Sequence, residues 1–279
     1  MGVDFILHYR CRPKEELGNG DVLAGTDRLL AASKARNRAE VIAELCRRDG
    51  ESPEGKKVVV GLLTANDGTV RENEVTYEQL VEEGQVPTRY ESECAACPGN
   101  VHGGLLGCMG YLNYPIPQAS EQWLMERVQP SGSVGGQLFL RAIRDFGYTG
   151  EPIRNFRQGG LFESGRAVKK SLKRGWLAGE AVTSDQLFQA IFCIGEPLNP
   201  GHCLGILLWL GCLRLNGSVV ATLEQAQAVM QLASPEQRRG EAELDIGTPT
   251  DDPALSGMQD LLRALHASWI FDVPLLVSA

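Results

Sequence analysis

The chain lacks a long apolar run and the short sequence signatures of the common catalytic families, and each lack narrows its function. Its longest apolar stretch, Cys203 to Leu213, is about half of the ~20 residues that a membrane-spanning helix needs. Met1-Gly2-Val3-Asp4 puts an acid where a secretory signal needs a basic start, and Val3 to Tyr9 is too short and polar to follow it. Ile6 stands where a myristoylation signal needs Ser or Thr, and Leu276-Val277-Ser278-Ala279 offers no prenylatable Cys. A soluble, cytoplasmic protein that makes no membrane contact is expected. No phosphate-cradling G-x-x-x-x-G-K-[ST], nucleophile-elbow G-x-S-x-G, zinc-protease H-E-x-x-H or dinucleotide-binding G-x-G-x-x-G run occurs. No internal repeat of fixed period is visible either.

What is present is ordinary in bulk and unusual in two residue types. The 279 residues are 43% apolar and 22% charged, with a net charge of −8, which suits a folded domain or two rather than a disordered tail. The 32 glycines exceed the usual roughly 7%, and there are eight cysteines. Without export, disulfides are rare, so clustered thiols point to metal or redox chemistry. Cys46, Cys193, Cys203 and Cys212 fall in helical or apolar stretches, where a free thiol packs as a small hydrophobe. Cys11 is undecided; Cys94, Cys97 and Cys108 cluster.

The hydrophobic patterning predicts an α+β protein. Val3 to Tyr9 reads as a strand broken by Cys11-Arg12-Pro13. A helical stretch runs from Thr26, read as its N-cap, to about Arg48, with Leu29, Leu30, Val41, Ile42 and Leu45 as the apolar face. Its polar middle, Lys34 to Arg38, leaves room for two shorter helices. Lys57 to Thr64 reads as a buried strand, and Asn66-Asp67-Gly68 as a turn into a weaker strand, Thr69 to Val75. From about residue 119 the period is helical. Leu138, Phe139, Ala142, Ile143 and Phe146 share one face, and Met258, Leu261, Leu262, Leu265 and Trp269 share another. Thr183 with Gln186, and Thr222 with Gln225, form capping boxes. Ser234 to Pro253 reads as an exposed loop. The expected division is residues 1–118, an α/β part with a small sheet that ends in a Cys/Gly-rich metal segment, and residues 119–279, mainly helical.

Glu91 to Pro117 has little periodicity and five glycines, so something other than secondary structure must hold it. Its centre reads Cys94-Ala-Ala-Cys97-Pro98-Gly99-Asn100-Val101-His102-Gly103-Gly104-Leu105-Leu106-Gly107-Cys108, a C-x2-C-x4-H-x5-C spacing. Two residues between cysteines fold into a tight turn that points both sulfurs at one cation. His102 and Cys108 complete a tetrahedral set whose softness favours Zn²⁺. Gly99, Gly103, Gly104 and Gly107 let the backbone curl closely around an ion. Over these fifteen residues the spacing resembles the zinc knuckle, C-x2-C-x4-H-x4-C, with one residue added before the last Cys.

Knuckles that hold single-stranded nucleic acid use aromatics for stacking and basic residues for phosphate. Here no Lys or Arg lies between Arg89 and Arg127, and Glu91 and Glu93 flank the first ligand, so no nucleic acid is expected at this segment. A variant ligand set replaces His102 with a distant residue such as Cys11. The competing readings are a dithiol redox pair at Cys94 and Cys97, which the neighbouring acids oppose, and free thiols packed in a glycine-rich loop.

Arg166, Lys169, Lys170, Lys173 and Arg174 put five positive charges within nine residues. As a helix they would form a basic stripe for an anion or an acidic partner surface; an ordinary solvated face is the plainer reading. Consecutive residues on a helix point about 100° apart, so His202 and Cys203 cannot pair as base and nucleophile, and His8 and His266 read as structural. Tyr111 to Pro117 reads as a short extended stretch that its prolines confine to a sheet edge.

The expected function is an intracellular zinc-binding interaction or scaffold protein with a structural site at Cys94, Cys97, His102 and Cys108 and a protein partner. The alternative is an enzyme with a metal- or thiol-dependent site where the two parts join, using Cys108 or an open metal position.

Overall fold

The computed structural model describes residues 2–63, 70–103, 106–174, 177–192 and 197–278. The chain opens with strand β1 (Gly2–Leu7), helices α1 (Arg12–Leu17) and α2 (Val22–Asp49), strands β2 (Lys57–Leu63) and β3 (Val70–Thr76), helix α3 (Tyr77–Gln85), a 3-10 turn (Val86–Tyr90) and the short helix α4 (Glu91–Ala95). Strand β4 (Met109–Asn113) leads into helices α5 (Gln118–Arg127), α6 (Val134–Asp145) and α7 (Glu151–Gln158) and strands β5 (Lys169–Arg174) and β6 (Leu177–Thr183). Then come α8 (Ser184–Phe192), α9 (Pro200–Trp209), β7 (Leu213–Leu215), β8 (Ser218–Val219), α10 (Leu223–Met230), α11 (Pro235–Glu241), β9 (Ala242–Leu244), α12 (Pro253–Phe271) and β10 (Leu275–Ser278). Helices dominate and the sheets are small, so the fold is α+β.

The chain divides into two compact units, His8–Met109 and Met1–Leu7 with Gly110–Ala279. In the first, α2 is one continuous helix, not two. Asp21, rather than Thr26, is its N-cap and accepts from the Leu23 and Ala24 amides at 2.9 and 3.2 Å. Thr26 is inside the helix, where its hydroxyl donates to the Val22 carbonyl at 2.8 Å. Gly50 closes it in the left-handed region, φ 72°.

The buried stripe of α2 is small: Gly25, Ala32, Ala35 and Ala39 pack with Leu29 and Cys46, while Val41 and Leu45 face outward, 57% and 45% exposed. Periodicity of large side chains missed this because close helix approach selects small ones. At Gly25, a Cβ would lie 1.7 Å from the Lys14 carbonyl oxygen, so α1 crosses α2 where only glycine fits. Strands β2 and β3 form an antiparallel hairpin in register from Lys57↔Thr76 to Leu63↔Val70. Val59 is 58% exposed, so β2 is not the fully buried strand expected. The Asn66-Asp67-Gly68 turn lies outside the described residues.

In the second unit, β1 lies between β10 and β4, with β1 and β10 antiparallel from Asp4↔Ser278 to Leu7↔Leu275. The edge position of β4 accords with the extended stretch read at Tyr111 to Pro117. Helix α12 is the centre of the unit. Its predicted face is buried, and so are Gln259, Ala264, Ala267, Ser268 and Ile270, because α9, α5 and β1 all pack against it. In α6, Phe139 and Ala142 are buried, but Phe146 lies past the helix end and is 68% exposed.

The capping boxes at Thr183 and Thr222 form as predicted. Two more, Thr76 with Gln79 and Ser234 with Gln237, start α3 and α11. The second of these corrects the loop expected over Ser234 to Pro253. Ser234-Pro235 begins a helix, and Ala242 follows it into pairing with Leu215 in a sheet ordered β8-β7-β9.

Candidate metal–thiolate site

Three stretches of the His8–Met109 unit bring cysteines to one cavity of about 180 Å³, lined among others by Tyr9, Cys11, Pro13, Leu29, Cys94, Cys97, Leu106 and Cys108. Cys11 arrives at the start of α1, where Pro13 suits the first helical turn and Cys11 keeps the extended backbone of an N-cap. Cys94 lies in the last turn of α4, and the Cys97 amide returns to the Cys94 carbonyl at 3.2 Å, the tight turn that C-x2-C requires.

From there the glycine-rich loop stitches itself closed. The Asn100 side-chain amide donates to the Cys94 carbonyl at 2.8 Å. The Val101 and His102 amides both donate to the Gly107 carbonyl at 3.0 Å. A Cβ on Gly107 would meet Asn100 Oδ1 at 1.7 Å, so the close approach demands glycine. Leu106, with φ 60°, holds a left-handed conformation that turns the chain so that Cys108 faces the cavity. Non-glycine residues there carry strain that the surroundings must hold.

The structure thus gathers three of the four ligands read from the sequence and adds Cys11. His102 does not line the cavity. Among the described residues, no three Cys, His, Asp or Glu side chains are arranged to hold a metal ion, and none of the described cysteines is in a disulfide.

Burial raises the pKa of three of the thiols. Cys108 is pushed up to about 11 by burial, with Lys14 opposing and Cys11, Cys97 and Cys94 adding to the rise. Burial likewise raises Cys94, against the pull of the Leu106 amide, and Cys11, against that of the Lys14 amide. Metal-free, these are neutral thiols. A nucleophile or a redox dithiol needs the opposite shift. Glu93, expected to add local negative charge, is paired with Arg12 at 3.2 Å.

Sequence reasoning missed Lys14. Its side chain is fully buried on α1, one helical turn from Cys11, and its ammonium donates to the Tyr9 carbonyl at 3.2 Å. A lysine two residues after Arg12 carries no sequence mark of burial. The only signal was its i, i+3 spacing from Cys11.

The chain matches no protein-family model, no curated protein and no solved structure.

The five basic residues do not form a helical stripe: Lys169 to Arg174 is strand β5, and its period of two sends neighbours to opposite faces. Leu172 is buried, and Lys170 folds beside it to donate to the Glu126 and Val128 carbonyls at 2.8 and 2.7 Å. That ammonium satisfies the carboxyl end of α5. Arg166 and Lys169 are exposed; the side chains of Lys173 and Arg174 lie outside the described residues.

His202 sits in the first turn of α9, its Nε2 3.0 Å from the Ala190 carbonyl oxygen, and Cys203 is fully buried. Cys46 and Cys212 are buried too, in keeping with packing roles; Cys193 lies outside the described residues. Among the described residues, no helix is long and apolar enough to cross a membrane.

Proposed function

We propose that this chain is a metal-binding scaffold or interaction protein whose His8–Met109 unit is clipped together by a metal centre on Cys11, Cys94, Cys97 and Cys108. One observation carries the reading: four thiols from three separated segments line a single cavity. Zinc is the ion that the loop spacing favours, and exchanging His102 for Cys11 makes the donor set softer still. The metal's role is structural. Among the described residues from Cys94 to Cys108, regular secondary structure ends with α4 at Ala95, and binding energy at a thiolate site is folding energy for the segment that presents it. Burial raises the Cys11, Cys94 and Cys108 thiols, the opposite of what a nucleophile needs, which supports a non-enzymatic role.

Elemental analysis of the purified full-length chain, beside Cys97→Ser, tests this. Bound metal in the parent, reduced in the variant together with its thermal stability, is the expected result. A parent that is metal-free after incubation with zinc, and is no more stable for it, overturns the proposal.

A further inference from the structure

We propose that the edge of strand β5 facing away from β6 is a docking site for a short acidic segment of a partner protein, which adds to the β5–β6 ribbon as a third strand. The surface belongs to the Gly110–Ala279 part of the chain, outside the His8–Met109 unit, and is independent of any metal held there.

Strands β5 and β6 form a two-stranded antiparallel sheet of their own, in register from Lys169↔Thr183 to Leu172↔Glu180. Among the described residues β5 pairs with β6 alone, so its other edge offers backbone N–H and C=O groups to any strand that can approach. The ribbon is anchored at its base. The Val168 amide donates to the Ser184 hydroxyl at 3.0 Å, and the Ser184 amide donates to the Val168 carbonyl at 2.9 Å. Leu172 and Val182, both 2% exposed, bury its inner face, where Lys170 is held by the carbonyls at the end of α5. An edge ordered in advance loses little conformational freedom when a partner strand adds to it.

Charge selects which strand. Lys169, Ser171 and Ala181 are exposed, as is Arg166 just before β5, and β5 carries four basic residues and no acid. Glu180, the one acid between Arg166 and Ser184, takes the register position opposite buried Leu172 rather than Lys169 or Ser171. The next acids on either side are engaged: Glu163 accepts from the Gln118 amide at 2.9 Å, and Asp185 is buried against Arg157. Lysines on an edge strand keep ordinary strands from pairing with it. An acidic strand reverses that penalty, because opposite charges directly across neighbouring strands attract and like charges repel. Backbone pairing then supplies affinity and the alternating side chains supply specificity. At about 3.4 Å per residue the strand spans about 20 Å, the reach of an extended segment of about six residues. The net charge of −8 favours such a short segment over nucleic acid or an anionic membrane, which extend past this edge into the field of an acidic chain.

The test titrates the full-length chain into a fluorescein-labelled hexapeptide of alternating Glu and Thr, read by anisotropy at low and at high salt. Binding that weakens as salt rises, with amide exchange slowed along Lys169 to Arg174, is the expected result. A hexapeptide of alternating Glu and Pro has the same charge but cannot donate to the ladder, and should bind far more weakly. The paired substitutions Arg166→Ala and Lys169→Ala should weaken binding about two- to fivefold per charge removed, and Lys169→Glu should weaken it more than Lys169→Ala. Arg47→Ala with Arg48→Ala is the control: these arginines are exposed but already paired with Glu44 and Asp49, and their loss should change nothing.

No binding of the Glu/Thr peptide at low salt overturns the proposal. Equal affinity for the Glu/Pro peptide overturns strand addition. Affinity unchanged by Arg166→Ala and Lys169→Ala, in a variant whose thermal unfolding matches the parent, overturns the site. Tighter binding of a single-stranded oligonucleotide or of phosphatidylserine vesicles, or self-association of the chain, lost with the same substitutions, overturns the protein partner and assigns the edge to that occupant instead.

Discussion

Arg157 and Glu121 form a two-pronged ion pair with almost no solvent contact: Nη1 donates to Glu121 Oε1 at 2.9 Å and Nη2 to Oε2 at 2.6 Å. The same guanidinium donates to Asp185 and to the Ser164 carbonyl and lies 4.2 Å over the Phe162 ring. Ser184 completes the carboxylate shell by donating to Glu121 Oε2 at 2.7 Å. Both carboxylates sit in the first turn of a helix, α5 and α8, where the backbone favours negative charge. One arginine on α7 thereby ties three helices together.

Removing that arginine leaves two buried carboxylates without their cation. Arg157→Met should destabilise the larger unit by about 3–5 kcal/mol, the range for breaking a buried pair from one side. Urea unfolding followed by tryptophan fluorescence measures it. An effect below about 1 kcal/mol, typical of an exposed pair, would contradict this account. Arg157→Lys should recover little, since an ammonium cannot serve both forks.

Acid should weaken the same unit through His266. Burial lowers this histidine from an ordinary 6.5 to about 4, with a smaller opposing contribution from the Ala242 backbone. Between those values the unfolded chain binds a proton that the folded chain does not, so stability rises with pH across the window. The contribution is complete above about 6.5, is lost as pH falls, and levels off below about 4. Its size is about 3 kcal/mol at 1.36 kcal/mol per pKa unit. Urea midpoints at pH 7 and pH 4.5 should differ by less in His266→Phe than in the parent.

Thiol mapping by mass spectrometry after alkylation separates the cysteines. In metal-free native protein, the half-buried Cys11 and Cys97 should label first. Cys212, fully buried and with its thiol pushed up to about 12 by burial, and Cys203, fully buried as well, should label only after unfolding. Loading the site should protect Cys11 and Cys97. Equal labelling with and without metal would count against their role as ligands.

Gly107→Ala examines the loop itself. The added methyl would sit 1.7 Å from Asn100 Oδ1, and overpacking of this kind costs about 1–3 kcal/mol. Both metal content and the stability of the His8–Met109 unit should fall. Gly132→Ala is the control: nothing lies within 4 Å of its added carbon, and it should change neither.

Much of this was legible in the residues because it depended on neighbours in sequence. The strand at Val3, the helix ending at Gly50, the face of α12 and the boxes at Thr183 and Thr222 all rest on spacing of two to four residues or on a cap. The box at Ser234 was equally readable. It was missed because the acids, prolines and glycines around it look like a loop in bulk. The basic residues from Lys169 were assigned the wrong period because charges alone do not distinguish a strand from a helix. Lys169 and Ser171 are exposed while Lys170 and Leu172 turn inward, and that alternation is the mark of a strand.

The sequence by itself determined that a C-x2-C turn and a glycine-rich loop converge on Cys108. Local backbone freedom and tight-turn geometry need no distant partner. Only the tertiary structure decided that Cys11 joins them in place of His102, that Lys14 is buried beside them, and that the four thiols border a space. Those facts depend on α1 crossing α2 at Gly25, a contact set by packing between distant segments, and no spacing along the chain encodes it.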